Sequence, residues 1–316
     1  MLRVGLLCAA ALALALHAHL LLAGRIAPQL RALGARIVLP SARACAPRGL
    51  TPHVLVYNRL EKTGSSTLYK VIDTLAVRNN FTHVRMAEFY NASAARSAIA
   101  AALLLPHRAL ISEHFAFPEF EEALPEGAPR RVAYMQVVRE PVARCVSWYH
   151  WSRYSWANPW TAANLEAFGN ATLDECAASA TSARCLNCPP LHQAQAFCGA
   201  NDGACFDGAL GSQAVLQRAL RHIDAHYPVV GLTERLEASL ALLEATFPDF
   251  FAGALGVLRH PDFKSARVFK GRAAGYPQPS NATLGFLSQR LRGEEWLYAN
   301  LAARLAGQLA CHAAAP

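Results

Sequence analysis

The chain of 316 residues predicts an α/β fold built on a doubly wound parallel sheet, and three observations carry that prediction. Short apolar, β-branched runs alternate with helix-period segments from Val54 to Phe247, the order in which parallel sheets are wound. The first run, Val54 to Tyr57, passes through the loop Lys62-Thr-Gly-Ser-Ser-Thr67 into an apolar-periodic helix. Finally, Lys62, His114 and Arg139 each fall just beyond the carboxyl end of a strand, where such sheets bind ligands.

Taken in order, residues Val4 to Gly24 are almost wholly apolar, interrupted only by His17 and His19. At about 1.5 Å per residue they could just span a bilayer, so residues 1–24 read as a membrane anchor, with a cleaved signal peptide as the competing reading. Residues 25–51 hold prolines, arginines and small residues without periodicity and read as a stem. A single globular domain, 52–316, then follows. After the first strand, loop and helix come a strand near Thr82 to Met86, a helix from Ala92 to Leu105 and a strand Arg108 to His114. The strand Arg131 to Val138 feeds a helix from Val142 to Tyr154. Residues 176–205 are expected to form a loop-rich insertion, followed by a helix Ser212 to His226, a strand Val229 to Leu232 and a helix Leu236 to Phe247. The tract Arg259 to Gly275 is basic and carries glycine and proline, which predicts a loop; a helix from Leu284 to Leu309 closes the chain.

The loop at Lys62 is built like a phosphate cradle. The first turn of the helix aims backbone N–H groups at one spot, Gly64 permits close approach, Lys62 adds charge, and Ser65, Ser66, Thr63 and Thr67 add donors. A mononucleotide P-loop places its lysine after the glycines, whereas here it precedes, which disfavours an ATPase or GTPase. The second informative stretch, Val138-Arg139-Glu140-Pro141 with Ser147-Trp148-Tyr149, brings a guanidinium and a hydroxyl to the start of the next helix and could grip a second phosphate.

Composition narrows the partners. The net charge is +8, and of the 30 basic residues only Lys62, Lys70, Lys264 and Lys270 are lysine. Arginine in that proportion suits phosphate, sulfate or carboxylate groups. Nucleic acid is not expected, because no zinc spacing, RNP motif or basic helix accompanies the charge. Nine cysteines and sequons at Asn80, Asn91, Asn170 and Asn281 agree on an oxidising, secretory-pathway compartment. Cys176 is expected to pair with Cys185, and Cys198 with Cys205, since both spacings close short loops; a zinc site through Cys185 and Cys188 is the alternative.

Cradle and arginine-serine pair, in that order, resemble the sulfotransferases that use 3′-phosphoadenosine-5′-phosphosulfate. More closely, the chain is similar to the heparan sulfate 2-O-sulfotransferase and uronyl 2-O-sulfotransferase family. The resemblance rests on Tyr57-Asn58-Arg59, Lys62-Thr63-Gly64-Ser65, Ser112-Glu113-His114-Phe115, Val138 to Pro141, Asp174-Glu175-Cys176, Phe197-Cys198-Gly199 and Val230 to Glu237. It implies a sulfotransferase-type sheet and transfer of a sulfuryl group to the 2-hydroxyl of a uronic acid, in heparan sulfate ahead of chondroitin or dermatan. An inactive, anchored glycan-binding protein is the alternative of a different class. His114 would be the general base and Lys62 the group on the bridging oxygen. Lys62 through Thr67 would hold the 5′-phosphosulfate, and Arg139 and Ser147, joined by Arg267 and Lys270, the 3′-phosphate side. Arg59 and Arg153 would face the acidic sugar chain. No metal is implied. A type II protein of the Golgi membrane with a lumenal domain, and room for a homo-oligomer, complete the expectation. The chain departs from the family at Ser112, where a second histidine is usual, and at Glu61, where proline is usual.

Overall fold

The computed structural model describes residues 45–86, 91–120, 131–154, 161–179, 182–200, 203–208, 210–265 and 277–314. The expected anchor 1–24 and most of the stem therefore lie outside the described residues, and among those described no helix is long and apolar enough to cross a membrane.

Five parallel strands form one sheet in the order β2-β3-β1-β4-β5. They are β1 Val54–Asn58, β2 Thr82–Arg85, β3 Ala109–Glu113, β4 Val132–Val138 and β5 Val229–Leu232. Every residue of β1, β3 and β5 is buried, which explains their continuous apolar runs: a parallel sheet is covered by helices on both faces. From β1 the chain crosses to β2 through α1, Ser65–Arg78, and returns to β3 through α2, Ala92–Ala102. The two moves run in opposite directions along the sheet, so right-handed crossovers put α1 and α2 on opposite faces. The chain leaves β1 towards one edge and β4 towards the other, and the crevice between their carboxyl ends is the topological switch point.

Each early element has a local cause. Asn91 caps α2 by accepting the Ala94 N–H at 2.9 Å. Glu140 accepts the N–H groups of Val142 and Ala143 at 2.9 and 2.6 Å and so opens α3, Pro141–Tyr154, with proline at the first turn. Helix α4, Thr161–Phe168, follows.

The cysteine-bearing stretch corrects the expectation of a loop-rich insertion. It contains three short helices: α5 Leu173–Ala178, α6 Ser182–Leu186 and α7 His192–Cys198. A Thr172/Glu175 capping box starts α5, Cys176–Cys185 joins it to α6, and Cys145–Cys188 fixes the stretch to α3. Cys198–Cys205 closes the loop after α7. Both expected pairings are present. The zinc alternative falls, because Cys185 and Cys188 are each bonded to a different partner.

Beyond this stretch come α8, Ser212–His226, then β5 and a 3₁₀ turn, Thr233–Arg235, leading into α9, Leu236–Thr246. Helices α10, Pro248–Phe251, and α11, Ala254–Arg259, pack against α1. The basic tract expected as a loop starts as helix α12, Pro261–Ser265; residues 266–276 lie outside the described residues. The expected closing helix is two: α13 Asn281–Arg290 and α14 Arg292–Ala314. The break at Leu291 has a packing reason. It lets Gly293 approach Leu191, where an added Cβ would lie 3.0 Å from Cδ2, and lets buried Glu294 accept the Ala194 N–H in the first turn of α7.

The last residues assigned to the stem also belong to the domain. The N–H groups of Gly49 and Leu50 donate to the carbonyls of Ala245 and Thr246, and Cys45 is bonded to Cys311 on α14. Closing a loop of 266 residues restricts the unfolded chain by about 5 kcal/mol on the chain-entropy account.

Two glycines give opposite expectations. An added Cβ at Gly231 in β5 would meet Ser239 Cβ at 2.8 Å and Oγ at 3.0 Å, while at Gly256 in α11 nothing lies within 4 Å. Gly231→Ala therefore destabilises by about 1–3 kcal/mol, and Gly256→Ala stabilises by about 0.5–1 kcal/mol, as melting temperatures of the two variants will show.

Candidate active site

The loop after β1 turns twice through the left-handed region, at Lys62 (φ 67°) and Gly64 (φ 78°). Glycine takes that conformation freely, but lysine pays about 1 kcal/mol or more, a strain characteristic of functional loops. Helix α1 then begins with Gly64 as its N-cap, and no side chain makes a capping hydrogen bond at the positive end of its dipole among the described residues. The loop is pinned from below: Thr63 Oγ1 donates to the Leu60 carbonyl at 2.9 Å, and Thr233 Oγ1 lies 2.7 Å from the Thr63 carbonyl and 3.0 Å from that of Val138. One threonine thereby ties the cradle to the end of β4.

Arg139 closes the crevice from the β4 side. Its Nη1 donates to the Lys62 carbonyl at 3.1 Å, and Gln193 holds its backbone from both sides, at 3.0 and 2.9 Å. Glu234 stands 4.0 Å from Nε, a loose pair, and also accepts from Tyr298 at 2.9 Å. Burial and the nearby Arg139 guanidinium push the Lys62 ammonium down to about 8, and its Nζ lies 5.2 Å from the centre of the Trp151 ring. Two cations held this close and half-buried favour an anion between them.

His114 stands one residue past β3, beside the cradle. Its Nδ1 lies 3.1 Å from the Arg59 carbonyl. A carbonyl can only accept, so Nδ1 carries the proton and Nε2 keeps its lone pair, the tautomer a general base needs. Burial holds the imidazole below its ordinary value, against the carboxylate of Glu61, which raises it. Glu61 itself is bonded to His192 of α7 at 2.7 Å. A cleft of about 710 Å³ opens on the Arg59–Glu61 side of the loop, lined by Arg59, Glu61, Arg96, Phe115, His192 and Phe206 among others; Lys62, His114 and Arg139 are not among its lining residues.

Residues 51–192, which include the cradle, His114 and Arg139, match the sulfotransferase family. The chain is 29% identical over 221 residues to a uronyl 2-sulfotransferase homolog of Drosophila melanogaster, covering 63% of this chain and 42% of the relative. A heparan sulfate 2-O-sulfotransferase of Caenorhabditis elegans is 31% identical over 213 residues, 64% of this chain and 63% of that protein. The human heparan sulfate 2-O-sulfotransferase 1 is 27% identical over 217 residues, covering 65% and 58%. The chain thus spans about half of the length of these relatives.

Within the matched segment, Lys62 through Thr67, His114 and Arg139 converge on one crevice, and Ser147 is half-buried on α3. Arg59 lines the cleft, 3.6 Å from Glu113 and stacked over Tyr69. Arg153 does not face a cleft. It is 1% exposed, donates to the Cys185 carbonyl at 2.6 Å and lies over the Tyr149 ring, so it holds the disulfide-linked helices to α3. The expectation that it meets a sugar chain is corrected accordingly. Arg267 and Lys270 lie outside the described residues. Sequon residues Asn80, Asn170 and Asn281 are exposed, and Asn91 is half-buried at its cap.

At Ser112, where the resemblance implies a second histidine, an imidazole arrives from the next strand instead: His83 Nε2 is 2.7 Å from Ser112 Oγ, and Nδ1 is 2.7 Å from Asp73. The order Asp-His-Ser matches a hydrolase triad, but Ser112 is 0% exposed, so the set braces β2 against β3. Sequence reasoning missed His192, Gln193 and Thr233 as parts of the site; only Thr233 lay in a stretch already singled out.

Lys62 gives a pH expectation. An anion favours the ammonium, so affinity is full below about pH 8 and weakens as pH rises through it. Inorganic sulfate, whose charge is constant there, should bind up to about tenfold more weakly at pH 9 than at pH 7. In Lys62→Ala the profile should be flat, as NMR or calorimetric titration of sulfate will test.

Proposed function

We propose that this chain transfers a sulfuryl group from 3′-phosphoadenosine-5′-phosphosulfate to the 2-hydroxyl of a uronic acid in a glycosaminoglycan. The observation that carries the reading is His114 held by the Arg59 carbonyl in the basic tautomer, one strand away from the uncapped cradle at Lys62. The residues present fit the donor. Gly64 leaves the cradle open, since an added Cβ would stand 3.4 Å from Thr233, and Lys62 and Arg139 supply positive charge on its two sides. When bound, the donor supplies an electrophilic sulfur and a phosphate leaving group.

The protein's own residues then act as follows. The N–H groups from Thr63 to Thr67 and the hydroxyls of Ser65, Ser66 and Thr67 hold the 5′-phosphosulfate, whereas the Thr63 hydroxyl, expected among these donors, is buried and given to the Leu60 carbonyl; Arg139 and Ser147, with Arg267 and Lys270, serve the 3′-phosphate side. Nε2 of His114 takes the acceptor hydroxyl's proton as the oxygen attacks, and Lys62 meets the charge that grows on the leaving oxygen. Arg59, which lines the cleft and whose carbonyl holds His114, is placed for the acceptor's carboxylate. Heparan-type chains are preferred to chondroitin or dermatan types, in keeping with the relatives' names. The setting is a Golgi lumen: four disulfides and the exposed sequons support an oxidising compartment, and residues 1–24 would serve as the anchor.

His114→Ala should lower turnover by about 10²–10⁴ while leaving the affinity for adenosine 3′,5′-bisphosphate nearly unchanged, which rate assays and calorimetry will check. Because burial depresses His114, the acid limb of the rate profile should lie below about pH 6.5. Disaccharide analysis after labelled transfer to N-sulfated heparosan, desulfated heparin and desulfated dermatan will identify the acceptor. Label found only on hexosamine hydroxyls would refute the uronate assignment.

A further inference from the structure

Glu61 occupies a position where the charge of the site argues against a carboxylate. It precedes Lys62 in a loop built to hold an anion, yet it is 9% exposed, and the structure keeps it between two imidazoles. Its Oε2 is 2.7 Å from His192 Nε2, and its Oε1 is 3.8 Å from His114 Nδ1. The Nδ1 proton of His114 is already given to the Arg59 carbonyl, so Glu61 reaches His114 through space and not by a hydrogen bond.

The surroundings show why a carboxylate matters there. On the same loop Arg59 and Lys62 are cationic, and from α3 buried Arg144 adds a third positive charge felt by Glu61. Each disfavours an imidazolium. Glu113, the other carboxylate near His114, is engaged by Arg59 at 3.6 Å and by the His114 N–H at 2.9 Å. Behind His192, Glu294 is buried and committed to the Ala194 N–H. Glu61 thus turns one carboxylate oxygen towards each of two imidazoles, and its position lets its charge count at His114 when Nε2 gains a proton.

We propose that Glu61 is a positioning residue: it fixes His192 in the wall of the cleft and supplies the negative charge that sustains the proton affinity of His114. The proposal rests on His114 acting as the base, and it accounts for glutamate in a loop otherwise made to attract anions. His192 is the second part of the device. By holding Oε2, it takes a share of the carboxylate's charge that would otherwise act on His114.

The test is an NMR titration of the His114 ring in the substrate-free protein, paired with the pH profile of turnover. In Glu61→Gln the His114 midpoint should fall by about one unit or more, since an opposite charge within about 4–6 Å is worth that much. The acid limb should move down with it, and plateau kcat should fall about threefold as the base weakens. Glu61→Asp should restore part of both. In His192→Ala, which removes the donor to Oε2, the midpoint should rise, the opposite sign. A residue that merely packed would lower Tm and leave every midpoint where it was, and unmoved midpoints would overturn the proposal. If Glu61→Gln does not fold, His192→Ala decides alone, and a midpoint that fails to rise overturns it. Absence of sulfuryl transfer by the wild type would defeat the proposed function instead, with the titration midpoints still deciding the Glu61–His114 coupling.

Discussion

The parallel pairing of β1 with β3 on one side and β4 on the other is the constraint from which the site follows. In register, Asn58 stands beside Glu113 and Tyr57 beside Met135, so β1 and β3 end level while β4 runs two residues further, to Val138, before the chain turns away at the same edge. Lys62, His114 and Arg139 are carried there by strands whose interiors are buried and fixed. Because the chain departs from β1 and β4 in opposite directions, no crossover covers the space between them. The polar groups that fill it make the clamp: Thr233 bonded to Thr63 and Val138, Arg139 bonded to the Lys62 carbonyl, and Gln193 bonded across Arg139. Each of these bonds is worth only about 1 kcal/mol, but leaving any of the buried partners unmet costs more, which is why the edge is rigid.

The region after α3 uses a different means of order. Helices of five to seven residues are too short to hold themselves in water, and here covalent links and buried polar contacts substitute for length. Buried Asn58 at the end of β1 donates to the Ala196 carbonyl and accepts from Tyr227, and so fixes α7 against the sheet. Glu119 plays the same part for the loop after α7. Its carboxylate pairs with Arg218 at 2.7 Å and accepts from the Ala200 N–H, in a space that any Cβ at Gly199 would fill. The cleft wall that carries His192 is therefore as firmly held as the cradle opposite it.

The charges of the site are arranged in opposition. Burial lowers the proton affinity of both Lys62 and His114, and in each case Glu61 acts the other way. A lysine near 8 and an imidazole below its ordinary value would each be poor partners for their tasks without some compensation. Anion binding supplies it for Lys62, and the adjoining carboxylate supplies it for His114.

By itself the sequence determined the strands and their alternation with helices, because apolar β-branched runs and helix periods are local signals that tertiary contacts only reinforce; the strand order β2-β3-β1-β4-β5 came from the tertiary structure. It also determined the cradle and the positions of His114 and Arg139, since each sits at a boundary between two such signals. Both short disulfides were legible from spacing alone. Tertiary structure decided the rest. The short helices of residues 173–198 carry too little periodicity to be read, and the break at Leu291 exists only because α7 lies where Gly293 and Glu294 must approach it. Arg153 looked like a sugar-facing residue and is buried under Tyr149, because a helix's inward face depends on what packs against it. The pairing of Glu61 with His192 joins residues 131 positions apart, a separation across which no local pattern carries information.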